Sequence, residues 1–206
     1  PDVVIAADDN ASKFLVSPFY KGKELPFVFC GVNWDASGYG FPAKNVTGMI
    51  EVTPIEGLLE ELGKISGGGK IGFLGPDILT SHKESANFKK AFNLELTVHH
   101  AKDAEDWMKG FKELQENCDI VYVDSDGGLW PETQDARKAF VMQNTKKPTG
   151  TSYDFMANYV IITYGKIAQE QGTWAAKTAL EVLGGKSPAD IPLVRNKEGK
   201  LIVNVK

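Results

Sequence analysis

Two carboxylates, Asp124 and Asp126, stand one residue apart in the segment IVYVDSDGGLW, directly after four apolar residues. A strand followed by two aspartates in this spacing could carry out phosphoryl transfer, in which the first carboxylate attacks phosphorus and the second acts as general acid and base. The same residues could instead form the polar rim of a ligand pocket and cap the following helix. The remaining sequence bears on the choice between catalysis and binding.

The predicted strand followed by Asp-x-Asp-Gly resembles the first motif of haloacid-dehalogenase-type phosphatases. In that family Asp124 would be the nucleophile and Asp126 the acid and base. That family has Thr or Val where Gly128 stands, and its motif normally opens the domain, whereas several strand and helix patterns come first here. The residues after Trp130 show no acidic pair at the end of a later strand that could hold Mg²⁺. Because a short motif is a weak warrant for function, the phosphatase is kept only as an alternative.

No other catalytic set is indicated by residue type and spacing. His99 and His100 lack the i, i+4 spacing of a helical zinc site and have no cysteine ligands nearby. Ser12, Ser81 and Ser152 have no G-x-S-x-G context. The sequence therefore predicts a protein that is not an enzyme and has no metal and no cofactor.

The composition is that of a globular protein without a basic surface. Net charge is -4, 42% of residues are hydrophobic and 24% are charged, which argues against nucleic acid and anionic lipid as partners. The longest apolar runs are far shorter than the ~20 residues of a membrane helix. Cys30 and Cys118 lie on separate predicted elements and are interpreted as buried thiols.

Strand and helix patterns alternate along the chain. Short β-branched apolar runs predict strands at 3–7, 27–32, 71–74, 94–99, 120–123 and 160–163, and helical spacing predicts helices at 11–16, 55–65, 81–92, 104–116, 132–144 and 174–183. The segment 195–201 (RNKEGKL) is interpreted as a hairpin turn before the last strand. Near-continuous apolar strands between helices predict an α/β fold with parallel sheets covered on both faces.

The loops after the predicted strands are the expected binding positions, because ligands of parallel sheets bind outside the carboxyl ends of the strands. These loops read ADDNAS, GVNWDASGYG, GPDILTSHKES, HHAKDAED, DSDGGLWPE and GTSYDF. Capping of the following helix explains the polar residues of any single loop. Six such loops together favour a shared ligand site.

Several stretches together are similar to one family. PDVVIAADDNASKFL, LPFVFCGVN, NVTGMIE, KIGFLGPD, AQEQGTWAAKTALEVLGGKSPADIPLV and GKLIVNVK resemble the substrate-binding proteins of ABC transporters, in the branch with the type I periplasmic-binding-protein fold. The resemblance runs from the first residue to the last. It implies two lobes, each a parallel sheet covered by helices on both faces, joined by a hinge, with the ligand in the cleft between them.

The resemblance also implies where the lobes begin and end. NVTGMIE (45–51) and YVIITYGK (159–166) resemble the hinge crossings. Lobe 1 is then expected to comprise residues 1–47 and 159–206, and lobe 2 residues 48–158. Family members normally carry further strand and helix units before PDVVIA and a helix after LIVNVK, so we expect the sequence to be a fragment of a longer product.

Twelve residues at predicted strand ends are candidate ligand contacts. They are Asp8, Asp9, Asn10, Asn33, Trp34 and Asp35 in lobe 1, and Thr80, Ser81, Asp124, Ser125, Tyr153 and Asp154 in lobe 2. Trp34 could stack on the ligand or pack within its lobe, Asp9 or Asp124 could receive an ammonium, and the amides near Ser81 could receive a carboxylate. An amino-acid-like zwitterion fits this set.

The resemblance implies an extracytoplasmic protein that delivers its ligand to an ABC permease in the membrane and that can be lipid-anchored through a preceding segment. The segment itself is not expected to insert into the bilayer. A ligand-sensing ectodomain of a bacterial signalling protein remains the alternative within the same fold.

Overall fold

A computed structural model describes residues 1–205 and divides the chain into two compact units. Unit 1 consists of Pro1–Val52 and Ile167–Glu198, and unit 2 consists of Thr53–Lys166 and the segment from Gly199 onward. The strands are β1 (Val4–Ala7), β2 (Phe27–Asn33), β3 (Val46–Glu51), β4 (Ile71–Pro76), β5 (Leu96–Ala101), β6 (Ile120–Val123), β7 (Thr149–Thr151), β8 (Ile162–Lys166), β9 (Val194–Arg195) and β10 (Gly199–Val203). The α-helices are α1 (Asp8–Ala11), α2 (Ile55–Ser66), α3 (Leu79–Phe92), α4 (Ala104–Asn117), α5 (Gln134–Asn144) and α6 (Ala168–Leu183).

The chain also contains shorter π-helical and 3-10 segments. A π-helical segment (Ser12–Tyr20) continues α1, and 3-10 turns occupy Ser37–Tyr39, Pro131–Thr133, Asp154–Tyr159 and Pro188–Asp190. Within residues 1–205, no helix is both long and apolar enough to cross a membrane.

Unit 1 is built on a four-stranded parallel sheet in the order β1-β2-β3-β9. Phe27 and Phe29 on β2 pack on one face with Val16, whereas Val28 packs on the other face against Ala175 of α6. Burial on both faces explains why β2 is an almost unbroken apolar run.

Unit 2 is built on a six-stranded sheet in the order β10-β8-β7-β6-β4-β5, parallel except for β10, which is antiparallel to β8. Val121 and Val123 of β6 pack with Trp107 and Phe111 of α4 on one face. Tyr122, between them, stacks on Phe73 of β4 at 5.3 Å between ring centroids on the other face. Both faces are therefore buried, and the carboxyl ends of β4, β6 and β7 lie along one edge of this sheet.

All six predicted strands and all six predicted helices are present, and the α/β class is confirmed. The largest boundary difference is in the last helix, which begins at Ala168 instead of residue 174. β3 was expected only as a hinge crossing and β7 was not predicted as a strand, whereas β9 and β10 were expected as the two strands of a terminal hairpin. β7 has three residues, which is too short for periodicity to separate strand from loop.

The terminal segment differs from the prediction of a hairpin. β9 pairs in parallel with β3 in unit 1, and β10 pairs with β8 in unit 2, so RNKEGKL connects two different sheets. β8 also lies in unit 2, because it pairs with β7 in the six-stranded sheet. Residues 159–206 were all expected in lobe 1. Lobe 2 was expected to span residues 48–158. In the structure the chain passes from one unit to the other after Val52, after Lys166 and after Glu198. Hydrophobic periodicity identifies a strand but not the sheet that it joins.

Gly48 on β3 provides a test of packing in unit 1. It pairs with Phe29, and a Cβ at position 48 would overlap the Phe29 ring, which is fully buried. We expect Gly48→Ala to lower the free energy of unfolding by about 1–3 kcal/mol, because the ring has no room to move.

Gly63→Ala is the matched control. A Cβ there would meet no atom within 4 Å at the start of the last turn of α2, so we expect stabilisation by about 0.5–1 kcal/mol from helix propensity. Urea unfolding of the two variants measures both values. Equal effects in the two variants would contradict the packing argument.

Candidate functional site

Asp9 is the centre of a hydrogen-bond network at the carboxyl ends of β1 and β2. Its Oδ2 accepts from Asn33 Nδ2 at 2.8 Å and from the Asn33 amide at 3.2 Å, and its Oδ1 accepts from Tyr39 Oη at 2.7 Å. Burial and the Asp9 hydrogen bond raise the pKa of Tyr39 to about 12, so the phenol stays a donor. Asp9 thus joins β1 to β2, and both of its oxygens are occupied by this network.

The neighbouring carboxylates of unit 1 serve the local backbone. Asp8 Oδ1 accepts from the Asp9 amide, and Asp8 has a φ of +77°, which is unusual for a residue with a side chain. Asp35 accepts from the amide and the hydroxyl of Ser37 at 2.8 and 2.7 Å. Asn10 is exposed on α1. These contacts give Asp8 and Asp35 roles in turn formation.

Trp34 is held in a left-handed backbone conformation at the end of β2. Its φ is +59°, and its amide donates to the carbonyl of Glu51 at 2.9 Å. Non-glycine residues in this conformation are strained and concentrate at functional sites. Trp34 is only partly buried, so part of its indole remains accessible. It is the predicted residue of unit 1 that is best placed to contact a ligand.

In unit 2, Asp124 lies among buried hydroxyl groups at the ends of β4, β6 and β7. The side chain is 3% exposed, and the groups that act on it are the Ser81 hydroxyl, the Ser125 amide and the Tyr153 hydroxyl. The hydroxyls of Tyr122 and Ser152 approach each other in the same region. We call Ser81, Tyr122, Asp124, Ser152 and Tyr153 the Asp124 cluster.

Several polar atoms of the Asp124 cluster have no hydrogen-bond partner of good geometry. Among residues 1–205, the unpartnered buried atoms include Ser81 Oγ, Tyr122 Oη and Ser152 Oγ. Ser81 Oγ lies close enough to Asp124 to lower its pKa without forming such a bond. Buried hydroxyls without partners are costly to a fold and available to a polar ligand.

Burial controls the charge of Asp124. Desolvation raises the pKa of its carboxyl from 3.8 to about 6, and the nearby Ser81 hydroxyl, Ser125 amide and Tyr153 hydroxyl only partly oppose the increase. In the part of the chain that the structure describes, no basic side chain contacts this carboxylate. Desolvation and the nearby Asp124 charge in turn raise the pKa of Tyr153 above its ordinary value. The cluster is therefore acidic, buried and without a cation.

Gly75, near the end of β4, makes this arrangement possible. A Cβ at position 75 would overlap Ser81 Oγ and would lie 3.2 Å from Asp124 Cβ. The missing side chain lets the first turn of α3 approach β6. This close approach brings Ser81 to Asp124 across two elements that are far apart in sequence.

The N-terminus of α3 adds a second binding feature next to Asp124. Its N-cap residue is Ile78, which provides no side-chain cap, and Thr80 and Ser81 lie in its first turn. The first amides of a helix lack intrahelical acceptors and carry partial positive charge, which attracts anions. Thr80 is exposed whereas Ser81 is buried. An anion-attracting helix end and an acidic cluster thus meet at Ser81.

Two predicted residues of unit 2 do not join the cluster through their side chains. Ser125 Oγ accepts from the Gly127 amide at 3.1 Å and so supports the turn. Asp154 is exposed and pairs with Lys200 on β10 at 3.3 Å. The residues brought together are therefore Ser81, Asp124 and Tyr153.

Asp126 has a different environment from Asp124. Its Oδ2 accepts from Nη2 of Arg137 on α5 at 3.0 Å, and its Oδ1 accepts from the Gly128 amide at 3.0 Å. Arg137 is fully buried, and its guanidinium lies 5.5 to 5.6 Å from the ring centroids of Trp107, Trp130 and Tyr159. Both oxygens of Asp126 are therefore engaged within the protein.

Comparison with known proteins identifies the family. The model of the family described as ABC transporter substrate binding protein matches residues 1–206. The chain belongs to this family. The sequence has no significant match among curated proteins. The predicted family is thus confirmed over the whole sequence.

Solved structures show the same fold. A ligand-free, open substrate-binding protein with adhesive properties from Clostridium difficile aligns with a TM-score of 0.75 and 18% identity, over 99% of this chain and 71% of that chain. An ABC domain in complex with L-Trp from Streptococcus pneumonia aligns with a TM-score of 0.58 and 21% identity, over 98% and 71%. A LacI family transcriptional regulator from Bifidobacterium animalis subsp. lactis aligns with a TM-score of 0.54 and 16% identity, over 98% and 76%. The fold is therefore the predicted type I periplasmic-binding-protein fold.

Membership of the ABC transporter substrate-binding family indicates a solute-binding role. The Arg137–Asp126 pair argues against the phosphatase alternative, which needs Asp126 as a free acid and base. Asp126 is instead 5% exposed with both oxygens occupied. In residues 1–205, no group of three or more His, Cys, Asp or Glu is arranged to hold a metal ion.

Sequence reasoning missed four residues that shape the site of this substrate-binding protein. Tyr122 and Ser152 were counted as strand and loop residues, and neither Gly75 nor Arg137, which falls in the predicted helix 132–144, was singled out. The sequence could have indicated the burial of Arg137, because this residue stands four positions before the apolar Val141 and so lies on the same face of α5. The hydroxyls of Tyr122 and Ser152 left none, since their pairing depends on the register of β6 and β7.

Asp124→Asn tests the charge assignment through stability. The neutral acid contributes stability that is fully present below the unfolded-state pKa of 3.8 and is lost as the pH rises through about 6. The loss amounts to roughly 3 kcal/mol. The Asn side chain does not ionise, so we expect Asp124→Asn to escape this loss of stability. The variant should match the parent near pH 4 and melt at a higher temperature than the parent at pH 7.

Thermal unfolding between pH 4 and pH 8 measures this difference. Asp126→Asn is the control and should destabilise at pH 7, because Arg137 loses its counter-ion. An Asp124→Asn protein whose stability falls as steeply as that of the parent would exclude Asp124 as the titrating group.

Hydrolysis of p-nitrophenyl phosphate tests the phosphatase alternative. With Mg²⁺ present we expect no release of nitrophenol above buffer, because Asp126 is held by Arg137. Release that disappears in Asp124→Asn would revive the catalytic interpretation.

Proposed function

We propose that this substrate-binding protein captures an amino-acid-like solute and delivers it to an ABC permease. The observation that carries the proposal is the buried carboxylate of Asp124, which is surrounded by hydroxyls and has no cation in contact. A ligand that supplies the missing positive charge would offset the desolvation of Asp124. Ligand binding and ionisation of this residue are then coupled.

A primary ammonium fits the Asp124 cluster better than other cations. It donates three hydrogen bonds from one compact charge. Asp124 offers a charged acceptor, and Ser81 Oγ, which lacks a partner, offers a second acceptor beside it. Hydrogen bonds between ionised partners are the strongest available in a buried site.

The ligand's carboxylate is assigned to the N-terminus of α3. Ile78 leaves the first amides of that helix without a side-chain cap, and Ser81 lies in the same turn. An amino acid carries its ammonium and carboxylate on one carbon, so both groups can reach Asp124 and the helix end together. The net neutral charge of such a ligand avoids placing an anion alone beside Asp124.

Trp34 is proposed as the contact from unit 1. Its strained conformation and partly exposed indole make it suitable for stacking on a ligand side chain. Asp9, the other candidate for the ammonium, is occupied by Asn33 and Tyr39, so Asp124 is preferred. The family resemblance implies hinge closure as the motion that accompanies binding.

Transport is preferred to sensing because the matching family model describes transporter proteins. Delivery implies a permease partner and an extracytoplasmic location, with attachment through a lipidated preceding segment. A sensor ectodomain would use the same cleft. The two roles differ in the segments that flank the domain in the gene product: a lipoprotein cysteine upstream for transport, membrane and kinase segments downstream for sensing.

A thermal-shift screen of a panel of the proteinogenic amino acids first selects the best ligand, and it includes the L-Trp that one similarly folded protein binds. Calorimetry with matched analogues of that ligand then tests the ligand class. We expect L-tryptophan, or the best amino acid of the panel, to bind at least about 100-fold more tightly than its amine-only and acid-only analogues. For L-tryptophan these are tryptamine and indole-3-propionate. Equal binding of the acid-only analogue would contradict the role of Asp124.

Asp124→Ala should abolish the ligand-induced thermal shift while the protein still folds. Asp154→Ala should keep the shift, because Asp154 pairs with Lys200 and does not join the cluster. Affinity should also rise as the pH increases through about 6, since the ammonium requires the ionised form of Asp124. A shift that persists in Asp124→Ala would remove this residue from the site.

A further inference from the structure

Arg137 connects α5 to both ends of the loop that follows β6. Its Nη2 donates to Asp126 Oδ2 at 3.0 Å, and its Nε donates to Thr133 Oγ1 at 3.2 Å. The carbonyls of Leu129 and Trp130 accept from Nη2 at 3.4 Å. One fully buried side chain thus fixes the loop from Asp126 to Thr133.

Aromatic rings complete the environment of the guanidinium. Trp107 of α4, Trp130 of the loop and Tyr159 before β8 each lie about 5.5 Å from it. A planar guanidinium stacks on such rings while its edge donates hydrogen bonds, which the ammonium of lysine cannot reproduce. The cage therefore sets the orientation of Arg137 as well as its charge.

The backbone of the loop is strained at Trp130, where Arg137 holds it. Trp130, which has a side chain, has a φ of +56°, whereas Gly127 and Gly128 adopt φ values of +63° and +72° without strain. Such a conformation persists only where surrounding contacts over-determine it. Trp130 contacts Arg137 through both its carbonyl and its ring. Without Arg137, the loop would lose the contacts that oppose its relaxation.

The loop conformation decides the different environments of two carboxylates that are one residue apart. Asp126 and Asp124 are 5% and 3% exposed, but Asp126 faces Arg137 whereas Asp124 faces Ser81 and Tyr153. The ionisable groups that neighbour the Asp124 cluster are Glu84, held by a hydrogen bond from Thr53, and His100, which forms a hydrogen bond with the backbone of Ser81. A shift of the loop would turn Asp126 away from its cation and change the surroundings of Asp124.

We propose that Arg137 is a positioning residue of the binding site, which keeps the loop after β6 in the conformation that turns Asp126 toward α5 and Asp124 toward Ser81. The proposal rests on the proposed function for its biological meaning. Its physical content concerns the apo protein, so it can fail or stand whichever ligand binds.

Carbon-13 NMR titration of the aspartate carboxyl groups tests the proposal without ligand. Asp124→Asn identifies the resonance of Asp124. The main variant is Arg137→Met with Asp126→Asn, which removes both partners and leaves no unpaired buried charge. We expect the Asp124 titration midpoint to fall from about 6 by at least about one pH unit, because the relaxed loop admits water to the carboxylate.

A milder variant covers the case in which the double variant does not fold. Asp126→Asn alone keeps the shape of the side chain and an acceptor for Arg137, and should shift the midpoint in the same direction by a smaller amount. The matched control is Lys109→Met with Glu113→Gln, which removes an exposed ion pair from α4 outside the cage. Its midpoint should equal that of the parent.

The outcomes separate this proposal from the proposed function. A lower midpoint in the Arg137 variant together with weaker binding of the amino acid selected in the panel supports both. A lower midpoint in the Arg137 variant, when the parent protein binds no amino acid of the panel, supports positioning by Arg137 and overturns the ligand class. An unchanged midpoint in folded Arg137 and Asp126 variants overturns the positioning role, whatever the ligand.

Discussion

Burial of the Asp124 carboxylate without a basic partner is the constraint on which the candidate site depends. The strand β6 brings this residue to the edge of a sheet covered on both faces, where water has little access. The carboxyl therefore holds its proton to about pH 6, and the surrounding hydroxyls only partly compensate for lost hydration. A fold that keeps such a group sacrifices stability at neutral pH, which a protein commonly does at a functional site. A ligand ammonium would recover that stability and would be selected for doing so.

The contrast between Asp124 and Asp126 shows how one short motif can supply two functions. Asp126 pairs with a caged arginine and helps to hold the loop, whereas Asp124 has no basic partner and is the residue proposed to bind the ligand. Two aspartates in this spacing after a strand also occur in phosphatases, so the motif alone does not separate catalysis from binding. The separation comes from Arg137, which lies on a different element. This is why function has to be argued from the site and not from the fold, which LacI family regulators share.

The sequence by itself determined the α/β class, the six predicted strands and helices, and the strand-end positions of the candidate residues. These follow from hydrophobic periodicity and helix signals, which are local properties of the chain. The resemblance to the substrate-binding family, carried by stretches along the whole chain, agreed with the family model. Asp124 and Ser81 could be named in advance because polar residues after parallel strands meet at one edge of the sheet.

Only the tertiary structure decided which of these residues act together. Asp9 proved to be occupied by Asn33 and Tyr39, and Asp154 to be paired with Lys200, while Tyr122, Ser152 and Gly75 joined Asp124. The assignment of β8, β9 and β10 to their sheets also lay outside the reach of the sequence. The reason is the same in each case: periodicity reports which residues are buried, but pairing between distant elements depends on register and close approach, which local patterns do not encode.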